Sequence, residues 1–188
     1  MGAFAFTRWS MAFASVVLWG AALAGGGWKA LTGESVALLV ASGLVGIFIG
    51  DTALFSCMNR LGPRRSGVLF ATHSLFSVVL AWLWLGERMA GWQLVGCALL
   101  AGGVMMAIAL GKREGESHQW ERTHGRLAIG IGLGLLAALG QSLATLMLKP
   151  LMASAALDAV TASAVRMSAG FGAHALLWVF GLSLARLK

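Results

Sequence analysis

Apolar residues gather into six long stretches, and polar residues are confined mainly to the gaps between them. The stretches run roughly from Trp9 to Gly27, Val36 to Cys57, Ser66 to Gly86, Met89 to Gly111, Leu127 to Leu148 and Ala159 to Ala185. About 20 predominantly apolar residues in a helix cross the hydrocarbon core of a bilayer. Backbone polar groups in lipid must be satisfied within the segment, so each stretch is read as a helix. The period-two alternation of barrel strands is absent. The pattern therefore predicts an all-α, polytopic transmembrane bundle of about six spans. The longest polar interval runs only from Lys112 to Arg126, too short for a soluble domain. Arg8, the apolar run after it and Ala22-Leu23-Ala24 also fit a cleavable leader. An internal repeat, described below, favours reading this stretch as a retained span.

Composition agrees with the pattern. The chain is 59% hydrophobic and 11% charged, with a mean hydropathy of +0.82. Its net charge of +7 is not the footprint of a nucleic-acid protein, because the basic residues sit between spans and form no continuous face. They set topology instead. Arg8, Arg60, Arg64, Arg65, Lys112, Arg113, Arg122, Arg126, Arg186 and Lys188 fall on one side of the membrane; Lys29, Arg88 and Lys149 fall on the other. The first side is thereby expected to be cytoplasmic. Trp9, Trp28, Trp84, Trp92, Trp120 and Trp178 lie near span ends, as interfacial or lipid-facing tryptophans do. Cys57 and Cys97 lack metal-ligand spacing and read as small buried hydrophobes. His118 and His124, among Glu114, Glu116 and Glu121, read as part of a solvated linker. No cofactor or metal site is expected, and no nucleophile–base constellation of an enzyme is present.

The chemistry lies in polar residues inside the spans. Asp51 sits about seven residues before the end of the second span and His73 about seven after the start of the third. A short connection makes these helices antiparallel neighbours, so both residues come to lie roughly 10 Å below the same interface. An intramembrane acid costs ~3 kcal/mol and normally faces a partner or a cavity. An Asp51–His73 pair is either a titratable, proton-coupling element beside a substrate pathway or a structural hydrogen bond. Arg166, early in the sixth span, either meets an anionic substrate group or snorkels and pairs structurally. His174 shares a face with Gly170 and Phe171 and reads as a satisfied structural histidine. Gln141, Ser142 and Thr145 form a polar stripe that lines a cavity or binds a neighbouring helix. Gly46 and Gly50, and Gly130 and Gly134, are G-x-x-x-G pairs that let helices approach closely. Gly50 beside Asp51 permits local loosening, but no proline supports a break there. Pro63 and Pro150 are both expected outside the spans.

An internal echo suggests how the spans are organised. Arg8-x-Ser10-x-x-Phe13 with Leu18 recurs as Arg166-x-Ser168-x-x-Phe171 with Leu176. If the echo is a repeat, the parent plan holds five helices per copy, and an odd number inverts the two copies. Residues 1–111 would then be a first repeat lacking its first helix, 112–126 a polar linker, and 127–188 the start of a truncated second repeat.

Residues 43–104 also resemble the EamA type of the drug/metabolite transporter superfamily. The resemblance is carried by Gly46-Ile-Phe-Ile-Gly50-Asp51-Thr52, Arg60-Leu61-Gly62-Pro63-Arg64, and Leu80-Ala81-Trp82-Leu83-Trp84-Leu85-Gly86-Glu87-Arg88. Gln93-Leu94-Val95-Gly96 and Gly102-Gly103-Val104 complete it. It implies ten helices in two inverted repeats, of which this chain supplies the second to the seventh. It implies a secondary transporter of small metabolites or drugs, multi-pass in the cell membrane, the inner membrane of a bacterium. Small-molecule substrate, lipid bilayer, a coupling proton and an oligomer or partner chain completing the fold are the partners expected. Family members often carry a proline where this chain has Ser74, so no kink is expected there. Their usual orientation places the Arg60–Arg65 turn outside, against the charge count. The competing reading is a non-transporting polytopic protein with an assembly or regulatory role.

Overall fold

The computed structural model describes residues 3–87, 90–109, 126–153 and 157–179. The side chains of residues 3–8, 105 and 107–109 lie outside the description, as does the Lys112–Arg126 linker apart from Arg126. The described residues are helical and contain no strand. The helices are α1 (Ala3–Gly25), α2 (Gly33–Gly43), α3 (Thr52–Leu61), α4 (Pro63–Ala71), α5 (His73–Leu85), α6 (Gly91–Ala109), α7 (Leu127–Ala153) and α8 (Ala159–Val179). A π-helical segment, Leu44–Asp51, joins α2 to α3, giving one continuous helix over Gly33–Leu61. Gly33–Leu61, Pro63–Leu85 and Leu127–Ala153 are each long and apolar enough to cross a membrane. Trp9–Gly25 and Gly91–Val104 are shorter apolar stretches.

Local chemistry sets the helix ends. Thr32 caps α2 in a full capping box: its hydroxyl accepts the Ser35 N–H, and the Ser35 hydroxyl accepts the Thr32 N–H. Asp158 caps α8, its carboxylate accepting the Thr161 N–H at 3.2 Å. The Leu-Gly-Glu motif ends α5: Gly86 takes the left-handed conformation, φ 64°, and the Glu87 N–H reaches back to the Ala81 carbonyl. Gln93 then opens α6, its side chain accepting the Ala90 N–H at 2.9 Å. The motif residues at 86, 87 and 93 thus set the end of α5 and the start of α6.

Two departures from the sequence expectation concern proline. Pro150 lies inside α7, not beyond it. It lies in the last described turn of α7, and its ring leaves the Leu146 carbonyl without its usual N–H donor. Span three is interrupted at Thr72 although Ser74 is not a proline. There the Thr72 hydroxyl donates to the Leu69 carbonyl at 2.6 Å, and the N–H groups of Leu75 and Phe76 both go to the Thr72 carbonyl.

The chain divides into two compact units. The first comprises residues 1–49 and 144–188. In it α8 packs along α1 and α2. Its core is Leu39, Leu157, Ala162 and Val165, with Trp19, Val40 and Leu148 against it. The Trp19 indole N–H donates to the Ser168 hydroxyl at 2.8 Å, and the Ser42 hydroxyl to the Ala144 carbonyl at 2.9 Å. The second unit is residues 50–143. Here α3 packs on α4, and α6 lies against α4 and α5. Cys57, Leu61 and Leu69 form the core, with Ile131 and Leu133. Gly130 meets Leu61, and Gly134 meets Leu69 and Cys57, so this G-x-x-x-G pair does bring helices together. Cys57 is buried as expected, its thiol donating to the Ser66 hydroxyl, which in turn donates to the Gly62 carbonyl. On α5 and α6, Trp82, Leu83, Trp84, Trp92, Leu94 and Leu99 are exposed. An apolar surface of that extent suits lipid and would be unusual in water.

Candidate functional site

In the second unit the candidates are Asp51, His73 and Gln141. Asp51 is half-buried and is the last residue of the π-helical segment. Gly46 and Gly50 within this segment are buried, and two glycines weaken α-helical preference there. The expected loosening beside Asp51 thus takes the form of a widened turn, with the helix continuous. π-helical turns inside α-helices concentrate at functional sites.

His73 is half-buried and opens α5 immediately after the Thr72 interruption. Its Nδ1 lies 3.1 Å from the Phe70 carbonyl, and its ring stacks on Phe70 with centroids 5.3 Å apart. The hydroxyl of Ser142 donates to the His73 carbonyl at 2.6 Å and lies 2.8 Å from the Ala138 carbonyl of its own helix. Asp51 and His73 stand at equal sequence distances on either side of Gly62, the turn between α3 and α4.

The polar stripe on α7 does not behave as one face. Ser142 is fully buried, Gln141 half-buried and Thr145 exposed. Ser142 is the member whose contacts tie α7 to the His73 turn. It carries no sign in the sequence beyond its place in the stripe, because the partner is a backbone carbonyl 69 residues away.

In the first unit the candidates are Thr145, Arg166 and His174. Gly43 lies against the backbone of Arg166, and Ile47 lies against Gly170. Both pairs are four residues apart on their own helix and advance in the same direction, so the ridges of two parallel helices interlock. His174, one turn further, is 6% exposed and meets Phe48 edge-on, with ring centroids 4.9 Å apart. Arg166 and His174 therefore share one stripe of α8, directed at α2 and the π-helical segment. Arg166 is half-buried. Gly43 is inconspicuous in the sequence, since it belongs to no G-x-x-x-G pair.

Among the described residues no cluster of three or more His, Cys, Asp or Glu is placed to hold a metal ion. The His118 and His124 segment lies outside the described residues, as do Trp120 and Arg88.

No curated protein matches the chain. The model of the EamA-like transporter family matches residues 1–109, more than half of the chain. The match covers α1 to α6, including the π-helical segment, the Thr72 interruption and the α5 end at the Leu-Gly-Glu motif. With its helical architecture and long apolar helices, this integral membrane protein belongs to the EamA-like transporter family.

Proposed function

We propose that the chain is a secondary transporter of small metabolites or drugs, with Asp51 and His73 on the substrate pathway and coupling transport to a proton. One observation carries this reading. Regular helix geometry is lost at both embedded titratable residues: the π-helical segment ends on Asp51, and the span-three interruption immediately precedes His73. Irregular backbone at membrane depth is tolerated where protein or a water-filled cavity satisfies it. Transporters place substrate and ion sites at such interrupted helices. Gln141 and Thr145 on α7, and Arg166 and His174 on α8, are the further groups assigned to substrate or coupling.

The same reading assigns residues 1–111 and 127–188 to two inverted repeats joined by the 112–126 linker. The Arg60–Arg65 turn is assigned to the cytoplasmic side of a bacterial inner membrane, by its loop charge. A non-transporting assembly or regulatory role is the second reading. It is favoured by the bonds of Ser42 and Ser142 to backbone carbonyls, which are structural contacts.

Solvent access separates the two. Single cysteines at positions 51, 73, 141 and 145, in a background with Cys57 and Cys97 replaced by alanine, are exposed to a membrane-impermeant thiol reagent in sealed vesicles. A pathway labels positions 51 and 73 from one side at least. Four silent positions overturn the transporter reading in favour of the second. Asp51→Asn then tests coupling in vesicles challenged with a panel of metabolites and drugs: an unchanged rate and pH dependence removes Asp51 from the mechanism.

A further inference from the structure

We propose that Ser142 is a positioning residue: it latches the interruption of span three at Thr72 and so keeps a proton on Nδ1 of His73, which leaves Nε2, in the neutral ring, as a hydrogen-bond acceptor. The Phe70 carbonyl places the proton. A carbonyl oxygen can only accept, so the contact at 3.1 Å requires the proton on Nδ1. In a neutral ring the other nitrogen is then bare. Free imidazole side chains in water prefer the opposite arrangement, so the tautomer is imposed by the local backbone.

Three groups hold the backbone at that interruption. The Thr72 hydroxyl takes the Leu69 carbonyl at 2.6 Å. The stacked Phe70 ring keeps the imidazole over its own turn. Ser142, on α7, takes the His73 carbonyl at 2.6 Å and anchors the first turn of α5 from outside. Ser142 is fully buried and has a single hydroxyl proton, shared between the His73 and Ala138 carbonyls. His73 carries both contacts, its ring on the Phe70 carbonyl and its own carbonyl on Ser142. The interruption and the tautomer are thereby coupled through one residue.

The chemistry that His73 presents is that of an acceptor at Nε2, suited to an ammonium, amide N–H or hydroxyl donor of a ligand. That consequence rests on the transporter reading; the latch does not. The test accordingly reads the ring and measures no transport. The full chain, labelled with ¹⁵N-histidine, is placed in lipid nanodiscs, and His73 is assigned by its loss in His73→Gln. The expected spectrum shows neutral His73 protonated at Nδ1. Ser142→Ala is expected to shift the population toward Nε2–H and to speed amide hydrogen exchange at residues 73–76 about tenfold, while Ser142→Thr, which keeps the hydroxyl, retains the wild-type tautomer. Thr72→Val probes the same latch from the other side and is expected to shift the tautomer likewise. An Nε2–H ring in the wild type, or an unchanged ring in both Ser142→Ala and Thr72→Val, overturns the proposal.

Discussion

Gly43 lies directly against the backbone of Arg166: a methyl group at position 43 would stand 2.5 Å from the Arg166 carbonyl oxygen and 3.0 Å from its Cα. The obstacle is main chain and cannot rotate away. Gly43→Ala is expected to destabilise the protein by about 1–3 kcal/mol, the range for forced overpacking. Gly132→Ala is the matched control, because nothing lies within 4 Å of that position. It should be neutral or stabilise by up to about 1 kcal/mol through helix preference. Thermal unfolding of the two variants in one detergent checks the order.

The Gly130 and Gly134 pair should respond unequally. A methyl at Gly130 would stand 2.6 Å from Cγ and 2.7 Å from Cδ2 of the buried Leu61, atoms that move when that side chain changes rotamer. A methyl at Gly134 would meet the Cys57 sulfur at 3.1 Å and Cβ of Leu69 at 2.9 Å, and that Cβ is fixed to its main chain and no rotamer moves it. Gly134→Ala is therefore expected to cost more than Gly130→Ala. Equal losses of melting temperature would contradict the packing described for this unit.

Span three should accept a proline at one place and reject it at another. Ser74 is the second residue of α5, within the first turn, where a missing N–H costs little. Val78 lies in the interior of α5, where proline costs ~3 kcal/mol or more. Ser74→Pro is expected to leave yield and melting temperature near wild type, and Val78→Pro to collapse both. Loss of the fold in Ser74→Pro would mean that span three is a continuous helix through Thr72.

The start of α8 depends on Asp158. Its carboxylate accepts the Thr161 N–H, and the same two side chains bound the space next to Gly27. Asp158→Ala is expected to cost about 1 kcal/mol, the usual loss of an N-cap, and Asp158→Asn to retain most of that stability. Urea-shifted melting curves of both variants provide the comparison. Gly27→Ala should be worse than either, since its new carbon would sit 2.6 Å from the Thr161 hydroxyl.

Much of the candidate site is legible in the sequence. Asp51 and His73 are conspicuous because charge and imidazole are costly inside an apolar run, and a costly group draws attention wherever it falls. The Gly130 and Gly134 contact is legible for a similar reason, as a spacing with one well-known use. Ser142 is not, because a serine inside a helix is cheap and its partner is a backbone carbonyl that any residue supplies. Gly43 is silent because its importance comes from Arg166 on a helix more than a hundred residues away.

Hydrophobicity and local turn chemistry are enough to assign the class of this protein. Six apolar stretches, their polar gaps and the transporter-family motifs depend only on neighbours within a few residues. Helix caps at Thr32, Asp158, Gly86 and Gln93 belong to that same short range. Where the helices depart from ideal form is not marked in that short-range pattern. The π-helical segment ending at Asp51, the proline-free interruption at Thr72 and the passage of α7 through Pro150 are visible only in the structure. Each departure redirects backbone hydrogen bonds within the chain, and whether the loss is tolerable depends on what packs alongside. Ser142 reaching the His73 carbonyl, and Gly43 admitting the Arg166 backbone, are contacts of that kind. No local pattern encodes them, because each is completed by a residue far away in the chain.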